Sequence, residues 1–440
     1  MRFGLSNRPV GLLATCHRPC FSLHFGAMQR PTIWITLVVL LLGVVFLREP
    51  RFERTEEFFL RWLLKNSEPR GPTAPLTVVE IGHDASLDRD PLKGFSSPHP
   101  GGTGVSPLEF ALFLQSILEF QPTVIAFENV LRWRERDRDQ EQVLIDQAMK
   151  VPRLLLAAEL TPTADPDAPS AEIPIFTQVT GKRGELIEFS GIGRQPSEEI
   201  GLIGTTGFIN LPEEVTDGIH VPLLFRYRGE VIPSFALQAI LLWLRVTPAE
   251  VKIDLDSSIS LPQGRKIPIR ADGTVLISPN AGKKARRITL NELALATQQH
   301  QTGDKTGINL ENVRDQIVLA RTPAHPFSPP DVFAATLATI QTNAYIRRVS
   351  LIFDCVFLVF AVALFGKLRR LSRVDLVLIA IAFTAAYCLI AFAIISRWLI
   401  WLPGVLPLGT VWLLALISIV MPHRDHTKRL QDTTIPPSVP

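Results

Sequence analysis

The sequence predicts a mixed α/β domain, a partly parallel sheet with flanking helices, held outside a membrane by one N-terminal and three C-terminal transmembrane helices. Three observations predict it. Uncharged apolar runs sit at both ends of the chain, and short apolar segments alternate with helical ones between them. The long middle region also contains no cysteine. Of 440 residues 47% are hydrophobic, and the mean hydropathy of +0.22 is high for a purely soluble chain. The formal net charge of +3 is small and unclustered, so no nucleic-acid partner is expected.

The first apolar run, residues 32–47, carries no charge and is followed by Arg48. It is short for a span, which needs about 20 residues, but Pro31 and Arg48 can sit at the interface. A cleaved signal peptide is the competing reading. Phe46-Leu47-Arg48-Glu49-Pro50 offers no small-x-small cleavage site, which favours an uncleaved anchor. Residues 1–31 hold Arg2, Arg8, Arg18 and Arg30 and no acid, as a cytoplasmic tail does. Met28 is an alternative start. Cys16 and Cys20 have the look of half a zinc site, but no second pair completes them, and no metal is expected there.

The C-terminal spans are expected at residues 349–366, 375–395 and 398–420, with a tail at 421–440. Lys367, Arg369, Arg370 and Arg373 follow the first of them, and Arg424, Lys428 and Arg429 follow the last. By the positive-inside rule both termini are cytoplasmic and residues 48–348 extracytoplasmic, in a bacterial inner membrane. Trp398 and Trp401 suit the outer aromatic belt. Asp354, about one turn into its span, is read as solvated at the headgroups.

In the outer region, Thr55-Glu56-Glu57 offers an N-cap and two first-turn acids to an amphipathic helix. Residues 76–81 (LTVVEI) read as a strand, and residues 90–105 as a long Gly/Pro/Ser loop. Ser106-Pro107-Leu108-Glu109 starts a helix that buries Phe110, Phe113, Leu114 and Ile117. Residues 123–127 form the next strand, giving a right-handed βαβ unit with a parallel pair. A helix at 141–149 and strands at 154–158 and 315–320 continue the alternation, followed by a helix at 332–340. Strands are also expected at 204–210, 223–227 and 274–277, and a buried helix at 235–244. Turns are expected at 166–174 and 262–266, and hairpin turns at Asp217-Gly218 and Asp272-Gly273. The alternating charges from Arg132 to Asp139 suit a solvated loop.

No phosphate-binding loop, HExxH, CxxC or GxSxG pattern occurs in the sequence. One constellation stands out. Glu80 and Asp84 fall at and beyond the end of the first strand, and Glu128 at the end of the second. Ligands of open α/β sheets bind outside those carboxyl ends, so the three acids could share a cleft and hold a cation or cationic ligand. The alternative is that they cap helices or solvate the sheet edge. His83 beside them reads as a surface residue.

The order of these pieces resembles the type-2 CHASE domain, a cyclase/histidine-kinase-associated sensory extracellular domain. The resemblance runs through Glu57-Phe58-Phe59-Leu60-Arg61, Val78-Val79-Glu80-Ile81 with Asp84, Ser86 and Leu87, and Val124-Ile125-Ala126-Phe127-Glu128. It continues through Ile232-Pro233-Ser234-Phe235-Ala236-Leu237, Asp272-Gly273, Ile317-Val318-Leu319, the stretch from Pro329 to Ala335, and Trp401-Leu402-Pro403-Gly404-Val405-Leu406-Pro407. There are departures. Glu128 stands where the family usually has aspartate, and Ala320-Arg321 replaces an expected glycine. Ala334 replaces a frequent histidine, and the Gly/Pro-rich loop replaces a Trp-Pro feature.

The resemblance implies a non-catalytic membrane sensor without cofactor. It would bind an unknown small ligand or periplasmic protein and act through a separate cytoplasmic or membrane output protein, since relatives usually continue into a cyclase or kinase. A homodimer is expected by analogy with other receptors. Two other readings stand beside it: an envelope scaffold that senses nothing, or a receptor shortened of its output domain. An enzyme using Glu80, Asp84 and Glu128 is disfavoured, because no nucleophile and base accompany them.

Overall fold

A computed structural model describes residue 43 and residues 50–67, 72–82, 105–133, 138–164, 173–211, 219–303, 309–322, 331–368 and 372–420. Asp84, His83, Asp217-Gly218, the N-terminal span apart from Gly43, and most of the turn expected at 166–174 lie outside them.

The first helix, α1 (Pro50–Asn66), opens ahead of Thr55. The expected cap at Thr55 is therefore not a cap. Thr55, Glu56 and Glu57 lie inside the helix, and the two carboxylates reach other elements instead of their own N-terminus.

Six parallel strands form the central sheet: β1 (Leu76–Glu80), β2 (Val124–Phe127), β3 (Leu154–Ala158), β4 (Thr205–Phe208), β5 (Arg286–Thr289) and β6 (Ile317–Arg321). Their order is β5-β1-β6-β2-β3-β4. The expected β1–β2 pair is thus corrected: both strands are parallel members of one sheet, but β6 lies between them. β6 suits the centre because it is apolar on both faces, with Ile317 and Leu319 to one side and Val318 and Ala320 to the other.

The same alternation sets both cores. Val78, Val124, Ala126, Leu155 and Ala157 face α4 (Phe235–Leu244) and α6 (Val332–Thr342). Val79, Ile125, Phe127, Leu154 and Leu156 face α2 (Pro107–Leu118), α3 (Arg138–Ala148) and α5 (Leu290–Thr302). Helices cover both faces, so the parallel sheet is buried and its strands read as continuous apolar runs. Ser106 caps α2 by accepting the Leu108 N–H at 3.2 Å, with Pro107 in the first turn where its missing N–H costs nothing. Phe110, Phe113, Leu114 and Ile117 are buried as their spacing predicts. The end of the mixed-charge run, Arg138 and Asp139, belongs to α3 and not to a loop.

Among the described residues antiparallel pairing occurs only in small sheets outside the central one, including the short pair Leu160–Thr161 with Gly191–Ile192. Residues Leu224–Tyr227 pair with Glu230–Pro233, Ser258–Ser260 with both Lys252–Asp254 and Lys266–Pro268, and Thr274–Leu276 with His220–Pro222. Asp272-Gly273 forms a tight turn with Gly273 at φ +75, its N–H bonded to the Arg270 carbonyl at 3.0 Å. The Arg270 N–H donates back to the Thr274 carbonyl at 2.9 Å, so the turn closes as a local hairpin, although the strands on either side of it belong to different small sheets.

Three helices end the described chain: α7 (Leu351–Leu368), α8 (Arg373–Trp398) and α9 (Val405–Val420). Among the described residues one helix, α8, is long and apolar enough to cross a membrane; α7 and α9 contain shorter apolar stretches. The span expected from residue 398 becomes helical only at Val405. Trp398 ends α8, Leu399 takes a left-handed C-cap at φ 55, and Ile400–Trp401 pairs with Arg347–Arg348. Pro403 keeps Leu402 out of helix, because a proline disfavours helix in the residue before it.

Candidate functional site

The carboxyl ends of β1, β6 and β2 lie side by side, because Glu80 pairs in register with Arg321 and the Glu128 N–H donates to the Ala320 carbonyl at 3.0 Å. Two of the three acids picked out in the sequence, Glu80 and Glu128, therefore share one end of the sheet. Asp84 lies outside the described residues.

The side chain that organises this end is Arg321. It donates to Glu80 Oε1 at 2.7 Å and to Asp331 Oδ1 at 2.7 Å, with its own side chain 13% exposed. Arg287, on β5, reaches the same Asp331 oxygen at 2.7 Å. Glu128, 3% exposed, adds its negative field at Arg321. Burial alone would raise the Asp331 carboxyl, but the Arg287 and Arg321 hydrogen bonds outweigh it and hold it below its ordinary range. Burial likewise opposes the charge on Arg321, and Glu80, Asp331 and Glu128 more than restore it.

A guanidinium bound at its two ends thus occupies the place where the sequence suggested a cation. Asp331 stands at φ 79, a left-handed backbone that non-glycine residues rarely adopt, and this turns its carboxylate toward both arginines at the start of α6. Beside the cluster, Asn129 and Thr322 exchange two hydrogen bonds, of 2.7 and 2.9 Å, that tie the ends of β2 and β6. The sequence signal for Arg321 is its departure from the expected glycine; Asp331 stands only within the stretch of resemblance from Pro329 to Ala335, and Arg287 carries none.

A second cluster joins α1 to the rest of the chain. Glu56 is 5% exposed and accepts the backbone N–H groups of Gly404 at 2.7 Å, Val405 at 2.8 Å and Leu406 at 3.3 Å. A carboxylate from α1 thereby caps the N-terminus of α9, where orphan donors and the helix dipole both favour an anion. Burial pushes the Glu56 carboxyl up, against the pull of those three N–H groups and of Arg348.

The next residue faces the other way. Glu57 Oε1 lies 3.0 Å from Arg270, in the turn before Thr274, and 3.2 Å from the ring of His220, in a small sheet of the α/β domain. The His220 hydrogen bond, with help from Arg270, holds its carboxyl down at about 2 despite burial. Around this pair Leu60, Leu63 and Leu64 of α1 pack in one cluster with Ile219 of the domain and Ile395 and Trp401 of the C-terminal segment. Phe59 lies against Gly404 so closely that a Cβ there would clash with three atoms of its ring. At its far end α1 is held by Asn280, whose amide donates to the Leu64 and Ser67 carbonyls at 2.6 and 2.7 Å.

Asp354 belongs to the same region and is not solvated as expected. It is 1% exposed, with the Arg348 guanidinium 3.9 Å away. That guanidinium also lies 5.2 Å from the centre of the Trp401 ring, which places Trp401 under an arginine and leaves Trp398, 64% exposed, as the outward-facing indole. The sequence marked Glu56 and Glu57 only as local helix acids, because nothing local shows that residue 404 folds back onto residue 56.

A profile of the CHASE2 domain matches residues 36–329, about two thirds of the chain. No curated relative and no solved structure matches it.

Proposed function

Because this chain belongs to the CHASE2 domain family of sensory extracellular domains, we propose that it is a multi-pass membrane sensor whose signal leaves through α1. In this reading residues 32–47 and α7 to α9 cross the bilayer, both termini are cytoplasmic, and the α/β domain lies outside. The domain binds its signal at the carboxyl end of the sheet, around Glu80, Glu128, Arg321 and Asp331, and performs no chemistry of its own. A separate membrane or cytoplasmic protein receives the output.

The observation that carries the proposal is the pair of adjacent acids on α1. Glu57 holds the α/β domain through Arg270 and His220, and Glu56 holds the first turn of α9. Neighbouring helix residues point about 100° apart, so any rotation of α1 that follows the domain also moves the cap of α9. A ligand that prefers one arrangement of the domain then biases the helices by its differential affinity.

The test uses native membranes and full-length protein with the endogenous cysteines replaced and a reporter cysteine, Leu371→Cys, between α7 and α8. An impermeant maleimide should label it from the cytoplasmic side only. Arg321→Ala at the sheet and Glu57→Ala at the joint should each change its labelling rate. Labelling from the outside would overturn the topology. Equal rates in all variants would remove the sensor and leave an envelope scaffold.

A further inference from the structure

One face of α1 is covered by neither the α/β domain nor the C-terminal helices. Thr55, Phe58, Trp62 and Lys65 recur at helical spacing along it, all exposed, with Phe58 at 69% and Trp62 at 47%. Two large aromatic side chains on one exposed helical stripe are costly in open water, and one of them is held in place. The Trp62 ring stacks on Phe59 at 6.1 Å between centroids, and Phe59 is wedged against Gly404.

The height of this stripe is fixed by the joint. Glu56 meets the first turn of α9, so it marks the outer end of the helix bundle. At 1.5 Å per residue Phe58 lies about 3 Å, and Trp62 about 9 Å, farther along α1. Helical side chains lean back toward the N-terminus, which brings both rings closer to the bundle end. The headgroup layer on each side of a bilayer is roughly 5–7 Å thick. Trp398, 64% exposed at the end of α8, lies on the same rim. An amphipathic indole at this height, an apolar phenyl ring below it and a lysine beyond match the chemistry of the lipid interface.

We infer that Phe58 and Trp62 form a ridge that seats α1 in the phospholipid headgroup layer of the outer leaflet. The inference rests on the reading that α7 to α9 cross the bilayer. The seat gives the transmitting helix a lipid surface as well as a protein one.

The test is fluorescence of full-length protein in nanodiscs of phosphatidylcholine carrying a nitroxide either on the headgroup or deep in the acyl chain. Wild type is compared with Trp62→Phe and Trp412→Phe, since Trp412 is 42% exposed in the middle of α9. The expected result is a component quenched by the headgroup label, shielded from aqueous iodide, and lost in Trp62→Phe. Iodide quenching of that component without headgroup quenching would overturn the inference. So would shielding from both probes together with cross-linking between copies at residue 62. If the deep label fails to quench the Trp412 component, the multi-pass reading itself falls; if it succeeds while Trp62 stays iodide-accessible, only the headgroup seat falls.

Discussion

Replacing Glu56 by alanine removes the cap of α9 without touching the sheet. The carboxylate accepts three N–H groups, and Gly404 and Leu406 are buried, so the donors cannot simply turn to water. Loss of an N-cap costs about 1 kcal/mol, and leaving a buried donor unpaired costs about 1–3 kcal/mol. Some water entry is expected at the Val405 N–H, which is only half-buried, so about 2–3 kcal/mol is a reasonable sum for the local opening. That corresponds to roughly 30- to 140-fold faster exchange of the amides at 404–406, since 1.4 kcal/mol is tenfold. Hydrogen exchange of the detergent-solubilised protein, read by mass spectrometry on peptides spanning those residues, measures it directly. Glu56→Gln keeps an acceptor and should lose less than half of the effect. Exchange in Glu56→Ala within about threefold of wild type would refute the cap as the link between α1 and α9.

Three other outcomes follow from the same contacts. Glu57 titrates at about 2 in the fold against 4.5 ordinarily, so the stability it confers is present above pH 4.5 and lost as the pH falls toward 2. Glu57→Gln should flatten that acid limb of the urea midpoint, by at most about 3 kcal/mol, and an unchanged limb would assign it to other carboxylates. Arg321→Ala leaves Asp331 with Arg287 but takes from Glu80 its arginine and from Glu128 a neighbouring positive charge, and should cost about 3–5 kcal/mol in urea unfolding. Arg321→Lys, which cannot fork between Glu80 and Asp331, should recover less than half of that. Gly404→Ala drives a methyl into the Phe59 ring and should cost about 1–3 kcal/mol, read as a lowered melting temperature that Phe59→Leu partly restores.

The central layers were legible in the sequence because their signals are local. The residues of β1, β2, β3 and β6 are apolar on both faces, and α2, α4 and α6 carry buried faces at helical spacing, so their places needed no knowledge of the rest of the chain. Strand order was not legible: β6 enters between β1 and β2 from 190 positions downstream of Phe127, and no local pattern encodes a neighbour. The acids at the carboxyl ends could be placed, but their partners could not. Arg321 and Asp331 are ten residues apart and meet only because a left-handed backbone turns Asp331 back toward the sheet. Glu56 was read as a first-turn acid, which is the right chemistry assigned to the wrong helix, since the N-terminus it serves begins 348 residues later.

The late arrival of β6 has a consequence for how the protein is made. When β2 leaves the ribosome, the strand that must lie between it and β1 has not been translated. At about 5–20 residues per second its first residue follows roughly 10–40 s later. Until then β2 can pair with β3, but β1 and β2 both lack the neighbour they share, and each presents an unpaired apolar edge of the kind that draws other chains. Hydrogen bonding across the middle of the sheet is therefore among the last events of synthesis and one of the most non-local, which favours slow closure. A chaperone that shields apolar strands should bind nascent chains ending between residues 130 and 310 and release those extended past residue 340.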